Sequence, residues 1–261
     1  MRQCRGWAMA IVAVCLLGEC RAAAQGGPPY YTNDPITPGP SRWEINVGYI
    51  PLLATDQSTR RMPDLDINYG VGERIQLTLE LGWLGVQTVT EPEKFGLAQD
   101  IVGVKWRFVD DNRGFALSMF PQGAFNNPDD SVERGIAPPG ASLTLPIEVT
   151  KQVGYFAVNG EVGYTFVHLG RNTWLAGVVA GHEKRIGRKR YAQFEFDGEF
   201  YATGEVGGDV TQATLGAGVR WQPHAPFTVL AMAGRSVRQP AGSFAGYLGV
   251  QLRLPASEPE R

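Results

Sequence analysis

A repeated alternation of apolar and polar residues is the feature that most limits how this chain can fold. In residues 74–84, RIQLTLELGWL, every second side chain from Ile75 to Trp83 is apolar, whereas the positions between, such as Gln76 and Glu80, are polar or small. Successive side chains of a strand point to opposite faces, so this segment has one oily and one polar face. Segments of about ten residues with this pattern, parted by turn residues, are typical of a transmembrane β-barrel.

Twelve candidate strands follow this pattern. They cover residues 43–52, 63–71, 74–84, 98–109, 113–122, 140–149, 154–168, 173–183, 190–201, 209–221, 226–235 and 243–254. The pattern predicts an all-β fold, an antiparallel transmembrane β-barrel of about 12 strands, with counts of 10 or 14 left open. A soluble β-sandwich also alternates, so the pattern alone does not exclude one. No apolar run approaches about 18 residues, which excludes a helical membrane protein.

The N-terminus has the layout of a secretory signal peptide. Arg2 and Arg5 precede an apolar stretch from about Trp7 to Leu17, and the small residues 22–24 offer a cleavage site. The apolar stretch is too short for an ordinary membrane-spanning helix. We therefore expect export from the cytoplasm and cleavage near residue 24.

Cysteine and charge positions are consistent with export of a chain that has no disulfide framework. Cys4, Cys15 and Cys20 are the three cysteines, and all lie in the removable segment. Processing as a lipoprotein at Cys20 is an alternative that the neighbouring Glu19 disfavours. The segment also carries three arginines and one glutamate, so its removal leaves a net charge of about −4, which is no footprint for nucleic acid.

Four regions follow from these signals. They are a signal peptide at 1–24, a Pro-rich periplasmic leader or partial plug at 25–42, an outer-membrane β-barrel at 43–254 and a polar C-terminal tail at 255–261. The leader's prolines lack backbone donors and favour an extended path. Because the leader starts at the periplasmic mouth, it can fold into the barrel, and Tyr30 and Tyr31 are the candidate plug residues.

Connection lengths and tryptophan positions favour the membrane barrel. With the N-terminus in the periplasm, the inner connections are short and the outer ones include the longer segments 53–62, 85–97 and 123–139. Aromatic residues form girdles at both membrane interfaces of such barrels. The candidate interface residues are Trp43, Trp106 and Trp221 on the inner side and Trp83 and Trp174 on the outer side.

The polar face of the strands supplies candidate lumen-lining charges. They are Glu44, Asp66, Glu80, Lys105, Arg107, Glu148, Glu161, Glu195, Asp197, Glu199, Arg220 and Arg253. Glu195, Asp197 and Glu199 form an acidic ladder, and we expect small or neutral residues of 209–221 beside it. A wet lumen of mixed charge is one interpretation, and a charge-polarised constriction that favours cations is the sharper one.

No catalytic residue, metal site or cofactor is predicted. The histidines His168, His182 and His224 fall at strand ends or in a turn, and His182 has no second histidine at zinc-binding spacing. The chain also has no GxSxG motif and no glycine-rich phosphate loop. These observations predict that the protein is not an enzyme.

Both ends of the mature chain resemble one known family. The segment PPYYTNDPITPGPSRWEINVGY (28–49) and the final segment AGYLGVQLRL (245–254) are similar to the start and the closing strand of an outer-membrane family labelled for the meta-pathway of phenol degradation. The resemblance implies a transporter-like β-barrel tied to aromatic compounds, and it carries no site residues. The chain departs from many outer-membrane barrels in ending with a polar tail.

These inferences predict a barrel in the cell outer membrane of a Gram-negative bacterium that passes small molecules, hydrophobic or aromatic ones among them. A structural or adhesive barrel without transport is the alternative, and an outer-membrane lipid-modifying enzyme is a further one. The expected partners are outer-membrane lipid and lipopolysaccharide, the barrel assembly machinery and small solutes. The basic turn 184–190 is either solvated or in contact with anionic headgroups.

Overall fold

The computed structural model describes residues 26–111, 114–127, 130–185, 193–238 and 243–255, without the side chains of 183–185. These residues contain fourteen strands: β1 Trp43–Leu53, β2 Gln57–Val71, β3 Ile75–Thr88, β4 Lys94–Leu97, β5 Asp100–Asp110, β6 Phe115–Met119, β7 Gln122–Phe125, β8 Ser142–Val153, β9 Phe156–Val167, β10 Thr173–Arg185, β11 Gln193–Glu205, β12 Val210–His224, β13 Phe227–Arg238 and β14 Phe244–Leu254. The expected signal peptide, most of the C-terminal tail and the side chains of the basic turn lie outside the described residues.

The sheet closes on itself. Every pairing is antiparallel, and β1 pairs with β14 from Trp43↔Leu254 to Leu53↔Phe244. Strands β4 and β5 lie end to end along β3, and β6 and β7 lie end to end between β5 and β8. Each of these two pairs occupies one position in the wall, so the fourteen strands build a closed barrel with 12 strand positions, called staves below. This confirms the predicted fold and strand count.

The alternation places the apolar side chains outside, as predicted for strands in lipid. Leu79 is 38% exposed and Phe196 is 64% exposed, whereas their neighbours Thr78 and Asp197 are buried inside the barrel. The hydrocarbon around a membrane barrel is apolar, so a large apolar side chain is stable on the outer face of the sheet. The outer surface is consequently a belt of apolar residues around the closed sheet.

The two ends of the barrel differ. The end that holds Trp43 and Leu254, which we call the N-terminal mouth, has the short connections 72–74, 154–155 and 225–226. The opposite end, the far mouth, carries the long connection 126–141. The outer connections predicted over 53–62 and 85–97 are longer than the connections found in the structure.

Strand pairing continues into both of those segments. β2 already begins at Gln57, β3 runs to Thr88, and the connections shrink to 54–56 and 89–93. Beyond the apolar belt both faces of a strand can be polar, so pairing continues where the alternation has stopped. A break in the β1–β2 and β2–β3 register accompanies Pro63, which has no N–H for the ladder.

The tryptophans lie on the outside of the barrel near its two ends. Trp43, Trp106 and Trp221 are 43%, 52% and 44% exposed toward the N-terminal mouth. Trp83 is 44% exposed in the half of β3 nearer the far mouth, and Trp174 is half-buried at the far end of β10. Their positions are those of residues that sit at headgroup level in a membrane barrel.

The outward position of Leu79 can be tested directly. We expect Leu79→Arg to cost roughly 2–4 kcal/mol of folding free energy in lipid vesicles, because the charge would face hydrocarbon. Gln122→Arg is the matched control, since Gln122 faces the lumen beside Gly103, which pairs with Thr78. Equal losses for the two variants, measured by urea titration of vesicle-inserted protein, would contradict the assignment of faces.

Candidate functional site

The interior of the barrel is occupied by the chain that precedes β1. These residues, 26–42, are called the leader below. Tyr30 is 5% exposed and Thr32 is fully buried. The leader starts as a compact loop, in which the Gly27 N–H donates to the Thr32 carbonyl at 2.8 Å and the Tyr30 N–H donates to the Gly27 carbonyl at 2.9 Å. The lumen is therefore narrowed by the protein's own N-terminal segment.

Two wall carboxylates accept hydrogen bonds from the leader backbone. Glu199 Oε1 accepts the Thr32 N–H at 2.7 Å and the Thr32 hydroxyl at 2.9 Å. Glu161 accepts the Asn33 N–H at 2.8 Å and the Asn33 side-chain amide at 3.2 Å. Hydrogen bonds to charged groups contribute about 1.5–3 kcal/mol each, roughly twice the neutral value. Both glutamates were predicted to line the lumen. In the structure they belong to the barrel wall and form hydrogen bonds with the leader.

Arg220 donates hydrogen bonds to carbonyl oxygens of the leader, whereas the glutamates accept hydrogen bonds from its N–H groups. Its Nη2 lies 2.9, 2.9 and 2.6 Å from the carbonyl oxygens of Gly26, Gly27 and Pro28. Its guanidinium carbon also lies 5.7 Å from the centre of the Tyr30 ring. The first turn of the leader is thus fixed by a single buried cation.

Lys105 is the second cation on the leader. Its Nζ donates to the carbonyl oxygen of Asp34 and lies 3.4 Å from Glu148 Oε2. Glu148 also accepts the Ser118 hydroxyl at 2.5 Å. Burial raises the pKa of the Asp34 side chain, and the charges of Lys105 and Arg220 oppose that rise. Lys105 and Glu148, both predicted lumen residues, therefore form one buried group beneath the leader.

The two candidate plug tyrosines pack on different parts of the wall. Tyr31 stacks on Tyr201 with ring centres 5.2 Å apart and an angle of 29° between the planes. Tyr30 joins an interior apolar cluster that includes Leu230 and Met232. Burial raises the pKa of Tyr31 to about 12, and burial also raises the pKa of Tyr30. Both phenols consequently stay neutral at physiological pH.

Two glycines on the wall make room for the leader. A Cβ on Gly177 would overlap the Thr32 hydroxyl, and a Cβ on Gly218 would lie 2.7 Å from Cε1 and Oη of Tyr30. Both contacts are too close for a real Cβ atom. Glycine is required where another segment approaches a strand so closely.

Four of the predicted lumen residues lie at the N-terminal mouth. Glu44 and Arg253 face each other across β1 and β14 and form an ion pair of 3.0 Å. Arg107 turns to the rim, where it donates to the Glu73 carbonyl at 2.7 Å. Glu195 also lines the cavity at this mouth. Charge at the mouth is therefore mixed.

The acidic ladder has a different neighbourhood from the one predicted. The β11–β12 register pairs Glu195 with Arg220 and Asp197 with Gly218. The expectation of only small or neutral neighbours is therefore wrong, because the hairpin register brings a guanidinium opposite the first carboxylate. Glu199 and Arg220 are engaged by the leader, so the ladder does not face open solvent as one unit.

The remaining predicted lumen residues lie on the wall formed by β1, β2 and β3. Asp66 accepts hydrogen bonds of 2.9 Å from Asn46 and Asn68. Glu80 forms an ion pair of 2.6 Å with Arg61. This wall faces the leader across open space.

Sequence reasoning missed the apolar residues inside the barrel. Val179 and Leu230 are fully buried with inward parity, and Met232 is 6% exposed beside them. They were assigned no role because apolar side chains were expected to face outward. A signal was present, since Leu230 and Met232 share parity with Thr228 and Ser236 on the same strand. Their position becomes understandable only once the leader covers them.

Cavities remain beside the leader and at both mouths of the described part of the barrel. One of 450 Å³ lies at the N-terminal mouth and one of 380 Å³, called the chamber below, lies between the leader and the β1–β3 wall. A third of 410 Å³ lies at the far mouth. The mouth cavity and the chamber adjoin at Ile36, Glu44 and Gln76, which line both.

No family model and no curated protein match the chain. Solved structures do match. An outer-membrane channel from Pseudomonas putida F1 is 12% identical with a TM-score of 0.57, covering 88% of this chain and 100% of that one. The NanC porin is 9% identical with a TM-score of 0.53, covering 80% and 98%. The β domain of the Bordetella autotransporter BrkA is 12% identical with a TM-score of 0.53, covering 81% and 98%.

These likenesses establish the fold. Within the described residues, no helix is long and apolar enough to cross a membrane. The closed antiparallel sheet, the apolar outer belt and the matched structures define an outer-membrane β-barrel of a Gram-negative bacterium, with the fold shared by channels and porins. An autotransporter domain matches as well as a porin does, so the fold by itself does not name a cargo.

The close fit between leader and wall can be tested at Gly177. We expect Gly177→Ala to displace Thr32 and to speed amide hydrogen exchange in residues 30–34 on the order of tenfold, as overpacking by one methyl group does. Gly198→Ala is the control, because a Cβ at that position meets only the Gly216 carbonyl oxygen, at 3.9 Å. Exchange in the barrel strands should not change in either variant. Unaltered leader exchange in Gly177→Ala would mean that the leader does not rest on β10.

Proposed function

We propose that the protein is an outer-membrane channel for small molecules whose lumen is partly plugged by its own leader. The observation that carries the proposal is the pair of adjoining cavities beside the leader, at the N-terminal mouth and in the chamber. Together they reach from one end of the barrel into its middle. A barrel with a purely structural role has no need for such a path.

The leader is the element that would control passage. It contacts the wall through side chains of several strands, including Glu199 and Arg220, and it crosses the lumen between the mouth cavity and the interior. Its polar contacts can be exchanged for water, so the leader can move without unfolding the barrel. We propose that the N-terminal mouth faces the periplasm, because short turns are typical of that side.

The cargo we propose is a small molecule with hydrophobic or aromatic character. The segments 28–49 and 245–254, which resemble the aromatic-compound family, include most of the two strands that pair to close the barrel. Ten of the residues that line the chamber are large apolar or aromatic side chains, as is usual in small-molecule sites. Outer-membrane lipid, lipopolysaccharide and the assembly machinery remain the expected macromolecular partners.

Removing the leader tests the proposal. Deletion of residues 26–40 should raise single-channel conductance severalfold in planar bilayers, because the barrel wall stays closed without it. A structural or adhesive barrel would show no conductance in either form. Hydrolysis of lipid by the refolded protein would instead favour the lipid-modifying enzyme.

A disulfide lock provides the matched control. The mature chain is expected to have no cysteine, so Thr32→Cys with Gly177→Cys introduces a single pair. A Cβ on Gly177 would lie 3.1 Å from the Thr32 Cβ, within a few tenths of an ångström of disulfide geometry. The oxidised protein should have the lowest conductance, and reduction should raise it. Equal conductance in oxidised, reduced and deleted forms would contradict a gating role for the leader.

A further inference from the structure

The chamber has apolar lining residues that a water-filled pore would not need. Ile50, Ile101, Phe120, Leu175 and Met232 line it, each from a different stave of the barrel. Inward positions of an open barrel lumen are ordinarily polar, since they face water. Apolar side chains that surround a cavity from several strands provide a surface for an apolar body of similar size.

The part of the chamber wall formed by β2 and β3 carries excess negative charge. Asp64, Asp66 and Glu80 all line it. Arg61 lies 2.8 Å from Asp64 and 2.6 Å from Glu80, so one guanidinium serves two carboxylates. Asp66 has only amide partners, and no ion pair in the described part of the chain includes it. Adjacent carboxylates in a narrow space favour a bound cation.

Lys105 does not balance the negative charge of Asp66. It lines the chamber, but its Nζ donates to the Asp34 carbonyl and pairs with Glu148. Its Nζ also lies 4.7 Å from the centre of the Phe120 ring, a cation–π distance. Lys105 therefore already has its partners. Its contact with Phe120 also shows that an aromatic side chain of this chamber accepts a positive charge.

Tyr247 is an independent indication that the chamber binds a ligand. It is 6% exposed, lines the chamber, and its hydroxyl has no hydrogen-bond partner among the described residues. The end of its ring lies over Gly48, where a Cβ would be 2.7 Å from Cζ and Oη. Gly48 pairs with Asp64 across β1 and β2, so the hydroxyl lies next to the acidic wall. A buried hydroxyl without a partner costs free energy unless a ligand or water satisfies it.

We propose that the chamber binds a small organic cation, a protonated amine carried on an apolar or aromatic body. The ammonium group lies against Asp66 and the Tyr247 hydroxyl, and the body lies against Ile101 and Phe120. The 380 Å³ chamber is within the range of small-molecule sites. This inference rests on the proposed function only in that the chamber is taken to lie on the solute's path.

Calorimetric titration of the full-length protein in detergent tests the inference without requiring transport. The probes are benzylammonium, benzyl alcohol and benzoate at neutral pH, which share a ring and differ in charge. We expect benzylammonium to bind about tenfold more tightly than benzyl alcohol, as a charge-assisted contact provides. Benzoate should bind most weakly, and methylammonium should bind more weakly than benzylammonium.

Variants locate the site. Asp66→Asn keeps the shape and should remove the preference for benzylammonium over benzyl alcohol, and Tyr247→Phe should reduce it. Glu205→Gln is the control, because Glu205 pairs with Arg171 on the exposed far mouth. Heat-modifiable electrophoretic mobility verifies that each variant has folded. Equal affinity for the alcohol and the ammonium, or an unchanged preference in folded Asp66→Asn, overturns the inference.

The two proposals fail in different ways. If the leader deletion conducts but the probes bind without regard to charge, the channel stands and the cation site is wrong. If benzylammonium binds selectively but no form conducts, the cation site stands and the channel is wrong. The binding and conductance measurements therefore separate them.

Discussion

Closure of the sheet is the constraint on which the rest of the structure depends. In hydrocarbon every backbone N–H and C=O must find a partner within the protein, so a sheet can cross a membrane only if it has no free edge. The pairing of β1 with β14 removes that edge. Closing twelve staves also encloses a lumen, and the chain must then fill that lumen with side chains, water or another segment. Here the leader takes part of it.

The leader needs the wall because it pairs only some of its backbone groups within itself. Its prolines lack N–H groups, and it forms no strand, so several of its carbonyl oxygens and N–H groups would be unpaired inside the barrel without the wall. Carboxylates of Glu199 and Glu161 take the N–H groups, and Arg220 and Lys105 take the carbonyl oxygens. Each sign of charge therefore meets the backbone group of opposite polarity. Four of the twelve charges predicted to line the pore therefore bind this segment directly.

Much of the fold could be predicted from sequence, because lipid imposes a period of two on each strand. The antiparallel barrel, its twelve staves and the outward face of Leu79 followed from that period. The ends of β2 and β3 did not, since pairing outlasts the apolar belt. Cross-strand register depends on contacts between segments distant in sequence, so the position of Arg220 opposite Glu195 could not be read from either strand alone. The same holds for Leu230, whose inward position depends on being covered by the leader.

Inward apolar residues fall into two groups with different consequences. Val179 and Leu230 are fully covered and form an interior core with Tyr30, so burial alone accounts for them. Ile101 and Phe120 line the open chamber and are not members of that core. Stability of the leader gives no reason for the second group, because the core that covers Tyr30 draws its wall residues from β10, β13 and β14 and none from β5. An apolar surface kept beside an acidic wall, within a membrane barrel, is instead the surface that an amphipathic solute would need.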